Sequence, residues 1–215
     1  MPKDWERIKQ ARLDLTDYLV HWTQSFEKLK SIIECGFLLP SFAPKSSATV
    51  IRGKKNTIQG SRPAVCFTEQ PLAAFIKSWR TLDRYHPYGV AVRKDRLYKY
   101  GGRPVVYGDE TFLNRLHDED KYLWVRYDPI PNASFGDYPI DWTHEREWRT
   151  RVFQCNYEKI GTTPAEGVPL ILPPEYESQK TRLILPWILV RKEEEVRELK
   201  AWMATVPPYN GSKRF

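Results

Sequence analysis

The stretch Tyr18-Leu19-Val20-His21-Trp22-Thr23, continued by Gln24-Ser25-Phe26-Glu27 and a run that ends Ile32-Ile33-Glu34-Cys35-Gly36, decides how the chain is read. Tyr18-Leu19-Val20 is an apolar run and predicts a strand from Tyr18 to Trp22. The segment Thr23 to Glu27 then supplies a capping residue, and Phe26, Leu29, Ile32 and Ile33 recur at helical spacing until Gly36 stops the helix. The same order of strand, turn and helix returns at Pro63 to Thr68, Thr68-Glu69-Gln70 and Pro71 to Trp79, with the proline near the first helical turn. On the N-terminal side, Trp5, Ile8, Arg12 and Leu15 predict a short helix.

Beyond the second unit, strands are expected at Tyr88 to Val92 and Pro104 to Tyr107, separated by a helix from Lys94 to Tyr100 and a Gly101-Gly102 stop. A proline-rich connection runs from Asp128 to Pro139. Alternation predicts a strand from Glu145 to Gln154, another from Leu183 to Val190, and a final helix from Glu193 to Met203 whose three leading glutamates complement its positive end. Short strands interleaved with short helices, without regular crossovers of about 12 residues, indicate an α+β fold. The pattern contains no glycine-rich phosphate loop of either familiar kind.

The chain has 215 residues and carries 34 Lys and Arg against 27 Asp and Glu, a net charge of +7. With 41% hydrophobic residues it can build a core, which excludes a wholly disordered protein, and its length favours a single domain over 1–215. No apolar run reaches about 18 residues and the N-terminus lacks a signal-peptide block, so the expectation is a soluble cytoplasmic protein that uses no membrane. The three cysteines, Cys35, Cys66 and Cys155, read as reduced buried thiols. The scattered histidines and absence of paired Cys or His spacing argue against a metal site. The segment 45–62 carries Lys45, Arg52, Lys54, Lys55 and Arg62 and no acid. It reads as a mobile basic loop, either simply solvated or suited to nucleic-acid phosphates.

Three strand ends display polar groups: His21-Trp22-Thr23, Phe67-Thr68-Glu69, and Glu145-Arg146-Glu147-Trp148-Arg149. Strand alternation puts His21 and Thr23 on one face and Trp22 on the other, so the imidazole and hydroxyl can meet one ligand or serve structure alone. The same alternation groups Glu145, Glu147 and Arg149. That set is either a solvated ion-pair ladder or a glutamate aimed into a cleft, where it would stabilise an oxocarbenium-like centre or hold a ribose hydroxyl.

Taken in order, these motifs resemble the AbiGi-type family of abortive phage resistance. The residues that carry the resemblance are His21-x-Thr23, Glu34-Cys35-Gly36-Phe37, Val65 to Leu72, Tyr88 to Val92, Pro104 to Tyr107 and Glu145 to Arg149, within Tyr18 to Val152. More distantly the chain resembles the ADP-ribosyltransferase superfamily of the His-Tyr-Glu kind, including DarT-type toxins that modify DNA bases. The resemblance implies mixed or antiparallel sheets around a central cleft with short flanking helices, NAD+ as substrate and no metal. Glu147 would be the catalytic glutamate, with Glu145 its nearest rival, and His21 beside Thr23 would bind the ribose. Tyr88 or Tyr107 would stack on nicotinamide, Tyr88 as the catalytic aromatic. Arg62 or Arg149 would hold pyrophosphate, and Thr68 and Glu69 complete the substrate-binding set.

The function so implied is NAD+-dependent ADP-ribosylation of nucleic acid, most simply DNA, in bacterial antiviral defence or a toxin-antitoxin setting. A DNA N-glycosylase would use the same cleft and glutamate. A non-enzymatic antitoxin or interaction module is the third reading, drawing on the eight tryptophans and a flexible tail at 207–215. In either toxin-antitoxin setting a partner toxin or antitoxin protein is expected.

Overall fold

The structure, a computed structural model of the chain, describes residues 7, 11, 12, 14–41, 57–81, 87–130, 139–151, 153, 154, 166–170 and 187–205. Lys45, Arg52, Lys54 and Lys55, the tail 207–215, Cys155, His86 and most of the expected Trp5 to Leu15 helix lie outside the described residues.

The apolar run at the start of the deciding stretch forms β1 (Tyr18–Thr23). Ser25 caps the helix that follows, α1 (Phe26–Cys35), its hydroxyl accepting the Lys28 N–H. Gly36 ends α1 in the left-handed region at φ 73°, where a residue without Cβ fits at no steric cost, and its N–H donates to the Ile32 carbonyl. The chain continues through β2 (Phe37–Leu38), β3 (Val65–Thr68), α2 (Leu72–Thr81), β4 (Tyr88–Arg93) and α3 (Lys94–Lys99). Next come β5 (Arg103–Pro104), β6 (Val106–Gly108), α4 (Glu110–Arg115) and β7 (Trp124–Arg126). The C-terminal part holds β8 (Glu147–Thr150), β9 (Phe153–Gln154), β10 (Glu166–Pro169), β11 (Trp187–Leu189) and α5 (Glu193–Thr205).

A six-stranded sheet in the order β11-β4-β1-β3-β8-β5 is antiparallel at every described pairing. A three-stranded sheet β2-β10-β9 and a parallel pair β6-β7 complete an α+β architecture. Register fixes the faces, because directly paired residues point the same way. Val20 pairs with Thr68, which pairs with Glu147. Leu19 pairs with Val92 and His21 with Val90. Phe67 pairs with Trp148, and Pro104 joins Trp148 from the edge.

One face is therefore the core: Leu19, Val65, Phe67, Val90 and Trp148 meet Phe26 and Leu29 of α1, Leu97 of α3 and Leu199 of α5. Leu19, Leu29 and Val90 are wholly buried. Each such side chain stabilises the fold by about 1.5–3 kcal/mol. On the opposite face Trp22 stacks on Phe75 of α2 with ring centroids 3.6 Å apart. Gly89 lies beneath that indole, where an added Cβ would stand 2.9 Å from Trp22 Cε3 and 2.8 Å from the His21 carbonyl oxygen.

Two expected strands are interrupted. The span Glu145 to Gln154 divides into a 3-10 turn at Thr143–Glu145, then β8, then β9. Arg146 between turn and strand adopts φ 47°, which breaks the alternation and leaves Glu145 in the turn, outside the strand it was expected to share with Glu147. The span Pro104 to Tyr107 divides between two sheets. Val105 donates its N–H to the Glu147 carbonyl, and the chain then turns so that β6 pairs with β7.

Candidate functional site

Glu147 is the first residue of β8, and its position is fixed from three directions. Arg149, two residues on and on the same face, grips it with Nε to Oε1 at 2.8 Å and Nη2 to Oε2 at 3.2 Å. The Tyr107 hydroxyl accepts the Glu147 N–H at 3.2 Å and donates to the Trp142 carbonyl at 3.3 Å. Behind Glu147, the strained Arg146 backbone is itself held, since its carbonyl accepts the Glu69 N–H and its guanidinium donates to the Asp14 carbonyl. Arg146 is the one described non-glycine residue with positive φ. Such strain costs on the order of 1–3 kcal/mol and persists where the surroundings over-determine it.

The ion pair is no solvated ladder. The Arg149 side chain is 4% exposed and that of Glu147 is 15% exposed. Arg149 Nη1 also donates to the Tyr122 carbonyl at 2.6 Å and the Trp124 carbonyl at 3.0 Å, so its buried charge has partners on both sides. Burial alone would lower the Arg149 pKa, but the Glu147 carboxylate outweighs it and the guanidinium is held above its ordinary value. Cys66, the cross-strand partner of Arg149, shares this face. Burial, reinforced by the Glu147 charge, pushes its thiol up and keeps it protonated. Thr68 stands directly opposite Glu147, its hydroxyl donating to the Glu145 carbonyl and accepting the Gln70 N–H.

His21, Thr23 and Tyr88 belong to the core face. His21 meets the Phe67 ring edge-on at 5.9 Å between centroids. Its Nδ1 lies 2.8 Å from the Cys66 carbonyl, which selects the tautomer with the proton on Nδ1 and leaves Nε2 as an acceptor. Burial lowers the His21 pKa and the Cys66 carbonyl only partly opposes this, so the ring is neutral near pH 7. Tyr88 pairs with Thr23, packs against Phe26 and donates its hydroxyl to Glu195 Oε1 at 2.7 Å. Burial first, and the Glu195 hydrogen bond second, push the Tyr88 phenol up to about 12. The other Glu195 oxygen accepts the Arg191 and Lys192 N–H groups at the start of α5, so Tyr88 ties that helix to the sheet.

The sequence-predicted residues thus divide. Glu147, Arg149, Tyr107 and Thr68 come together on one face, with Glu145 contributing its backbone carbonyl. His21, Thr23 and Tyr88 stand on the other, with the sheet backbone between them and Glu147. Glu69 is buried as a brace, accepting Lys94 Nζ at 2.6 Å and the Trp148 indole N–H at 2.8 Å. Arg62 lies 3.7 Å from Glu119 in a half-exposed pair and makes no described contact with Glu147.

No family model, curated protein or solved structure matches the chain. Its chemistry rests on these residues alone. Among the described residues no group of three or more His, Cys, Asp and Glu is placed to hold a metal ion, and no helix is long and apolar enough to cross a membrane. Cys66, Trp142 and Arg146 are site residues that pattern reading passes over. The register of β3 on β8 places Cys66, and the left-handed Arg146 has no signal in residue type.

Proposed function

We propose that the chain is an NAD+-dependent ADP-ribosyltransferase acting on nucleic acid, with an ADP-ribosyltransferase-like fold and Glu147 as its catalytic glutamate. The observation that carries this reading is the fixed, partly exposed Glu147 carboxylate, gripped by Arg149 and braced by Tyr107 behind a strained Arg146. A carboxylate held in place before reaction needs no reorganisation when positive charge develops beside it, the condition under which electrostatic stabilisation is strongest. As the bond from ribose to nicotinamide stretches, Glu147 would stabilise the cationic ribose carbon. Nicotinamide leaves with the bonding pair, an acceptor nitrogen supplies a new one, and the acceptor's proton passes to solvent. His21 stands across the sheet from Glu147, so this reading rests on the Glu147 face.

A second reading is favoured by the separation of His21 from Glu147 across the sheet. A DNA N-glycosylase needs the glutamate but no partner histidine, and would release a base from DNA without NAD+.

Incubation of the protein with labelled NAD+ and with single- and double-stranded DNA and RNA, separately and together, distinguishes them by mass spectrometry. The transferase reading expects an ADP-ribose mass on nucleic acid, with both that mass and nicotinamide release falling about 100- to 1000-fold in Glu147→Gln. Base release with NAD+ intact replaces it with the glycosylase. Full activity in a folded Glu147→Gln protein removes both.

A further inference from the structure

A second polar feature lies at the β5 edge of the six-stranded sheet, on the far side of Arg149 from Glu147. An open groove of about 570 Å³ is lined there by Gly101, Arg103, Pro104, Asp120, Tyr122 and Arg151, among others. Arg103 is the cross-strand partner of Arg149, and Arg151 continues the Glu147 and Arg149 side of β8. Both groove arginines lie over tyrosine rings. Arg103 Cζ stands 4.1 Å from the Tyr98 centroid and Arg151 Cζ stands 5.0 Å from that of Tyr122.

The two arginines differ in what remains available. Arg151 is already balanced by Asp120 at 3.0 Å and Glu119 at 3.6 Å. Arg103 makes no ion pair among the described residues. One of its terminal nitrogens, Nη1, donates to the Tyr98 and Gly102 carbonyls at 2.8 Å each, which orients the guanidinium without neutralising it. Tyr98 beneath it is 54% exposed. A half-buried guanidinium oriented on an exposed tyrosine is a platform for a planar ring, and its uncompensated charge suits a phosphate beside that ring.

We infer that this groove binds an unpaired nucleic-acid strand, a base stacked on the Arg103–Tyr98 pair and the neighbouring phosphate drawn to the Arg103 charge. A duplex hides its base faces, so the stacking selects a single strand. Arg151 directly follows β8, four residues after Glu147, about 13 Å at the rise of an extended strand, so one short strand can touch both the groove and the surroundings of Glu147. The inference rests on the nucleic-acid acceptor proposed above, and places that acceptor here and not on the basic segment 45–62.

The test is fluorescence anisotropy of labelled oligo(dT) and oligo(U), with a duplex of equal length, across a salt series. Wild type is expected to prefer the single strands. Arg103→Ala should weaken binding about tenfold or more and reduce the slope of log affinity against log salt by about one. Tyr98→Ala, which removes an exposed ring, should weaken binding with that slope unchanged, and thermal melting verifies that both variants are folded. Binding kept in Glu147→Gln and lost in Arg103→Ala supports the groove whatever becomes of the NAD+ reaction. No single-strand binding by wild type, equal binding by Arg103→Ala, or equal affinity for the duplex overturns it, even where NAD+ is consumed.

Discussion

On one face of the six-stranded sheet, Leu19, Phe67, Val90 and Trp148 meet helices α1, α3 and α5, with few polar neighbours, His21 and Thr150 among them. On the other, Cys66, Thr68, Glu147, Arg149 and Arg103 occupy adjacent strands. The same strands build both, and Trp148 and Arg149 are successive residues. The apolar face is held by area removed from water, which tolerates small misfits. The polar face is held only while each charge keeps its partners, which makes it both specific and intolerant of loss.

The largest effects should come from those two successive residues. Trp148→Ala empties the core and strips a hydrogen bond from Glu69, and should cost about 3–5 kcal/mol. Arg149→Met leaves Glu147 with a buried, unpaired charge and should cost about 3–5 kcal/mol as well. Urea unfolding measures both. A loss below about 1 kcal/mol for Arg149→Met would place its ion pair with ordinary surface pairs and end the comparison.

Gly89→Ala tests how closely the polar-side layer is packed. Its Cβ would meet the His21 carbonyl oxygen at 2.8 Å and Trp22 at 2.9 Å, so a loss of about 1–3 kcal/mol is expected in the same unfolding assay. A neutral outcome would mean that the Trp22–Phe75 stack shifts freely.

Whether the chemistry uses both faces is decided by His21→Asn. A transferase that draws on His21 should lose about tenfold in NAD+ turnover, the worth of one good hydrogen bond. A glycosylase confined to the Glu147 face should release base at the wild-type rate, measured by the same mass-spectrometric assay.

The smallest effect is a pH dependence. The folded His21 pKa lies below its ordinary 6.5, so the unfolded chain takes up the proton first as pH falls. Stability should therefore be lost as pH drops below about 6.5 and on through the lower folded value, and His21→Asn should flatten that decline in melting temperature between pH 7 and pH 5. An unchanged slope would mean that His21 is solvated when folded.

Helix α1 was legible because Phe26, Leu29, Ile32, Ile33 and Gly36 encode it locally. The alternation of His21, Trp22 and Thr23 also held, since Trp22 reaches Phe75 on one side while His21 meets Phe67 on the other. Glu145 did not follow its alternation. The left-handed Arg146 depends on contacts from Glu69 and Asp14, distant in sequence, and no local pattern announces it. Glu69 likewise resembled a ligand-facing acid at a strand end, and only the positions of Lys94 and Trp148 make it a buried brace.

By itself the sequence determined the α+β class, the strand and helix beginnings, the glycine stop and the residues worth watching, because periodicity, capping and turn chemistry act over a few neighbouring residues. The tertiary structure alone decided which of those residues meet. Strand order and register bring Thr68, Glu147 and Arg149 together and leave the sheet between Glu147 and His21, since a side chain's face is set by pairing between strands far apart along the chain.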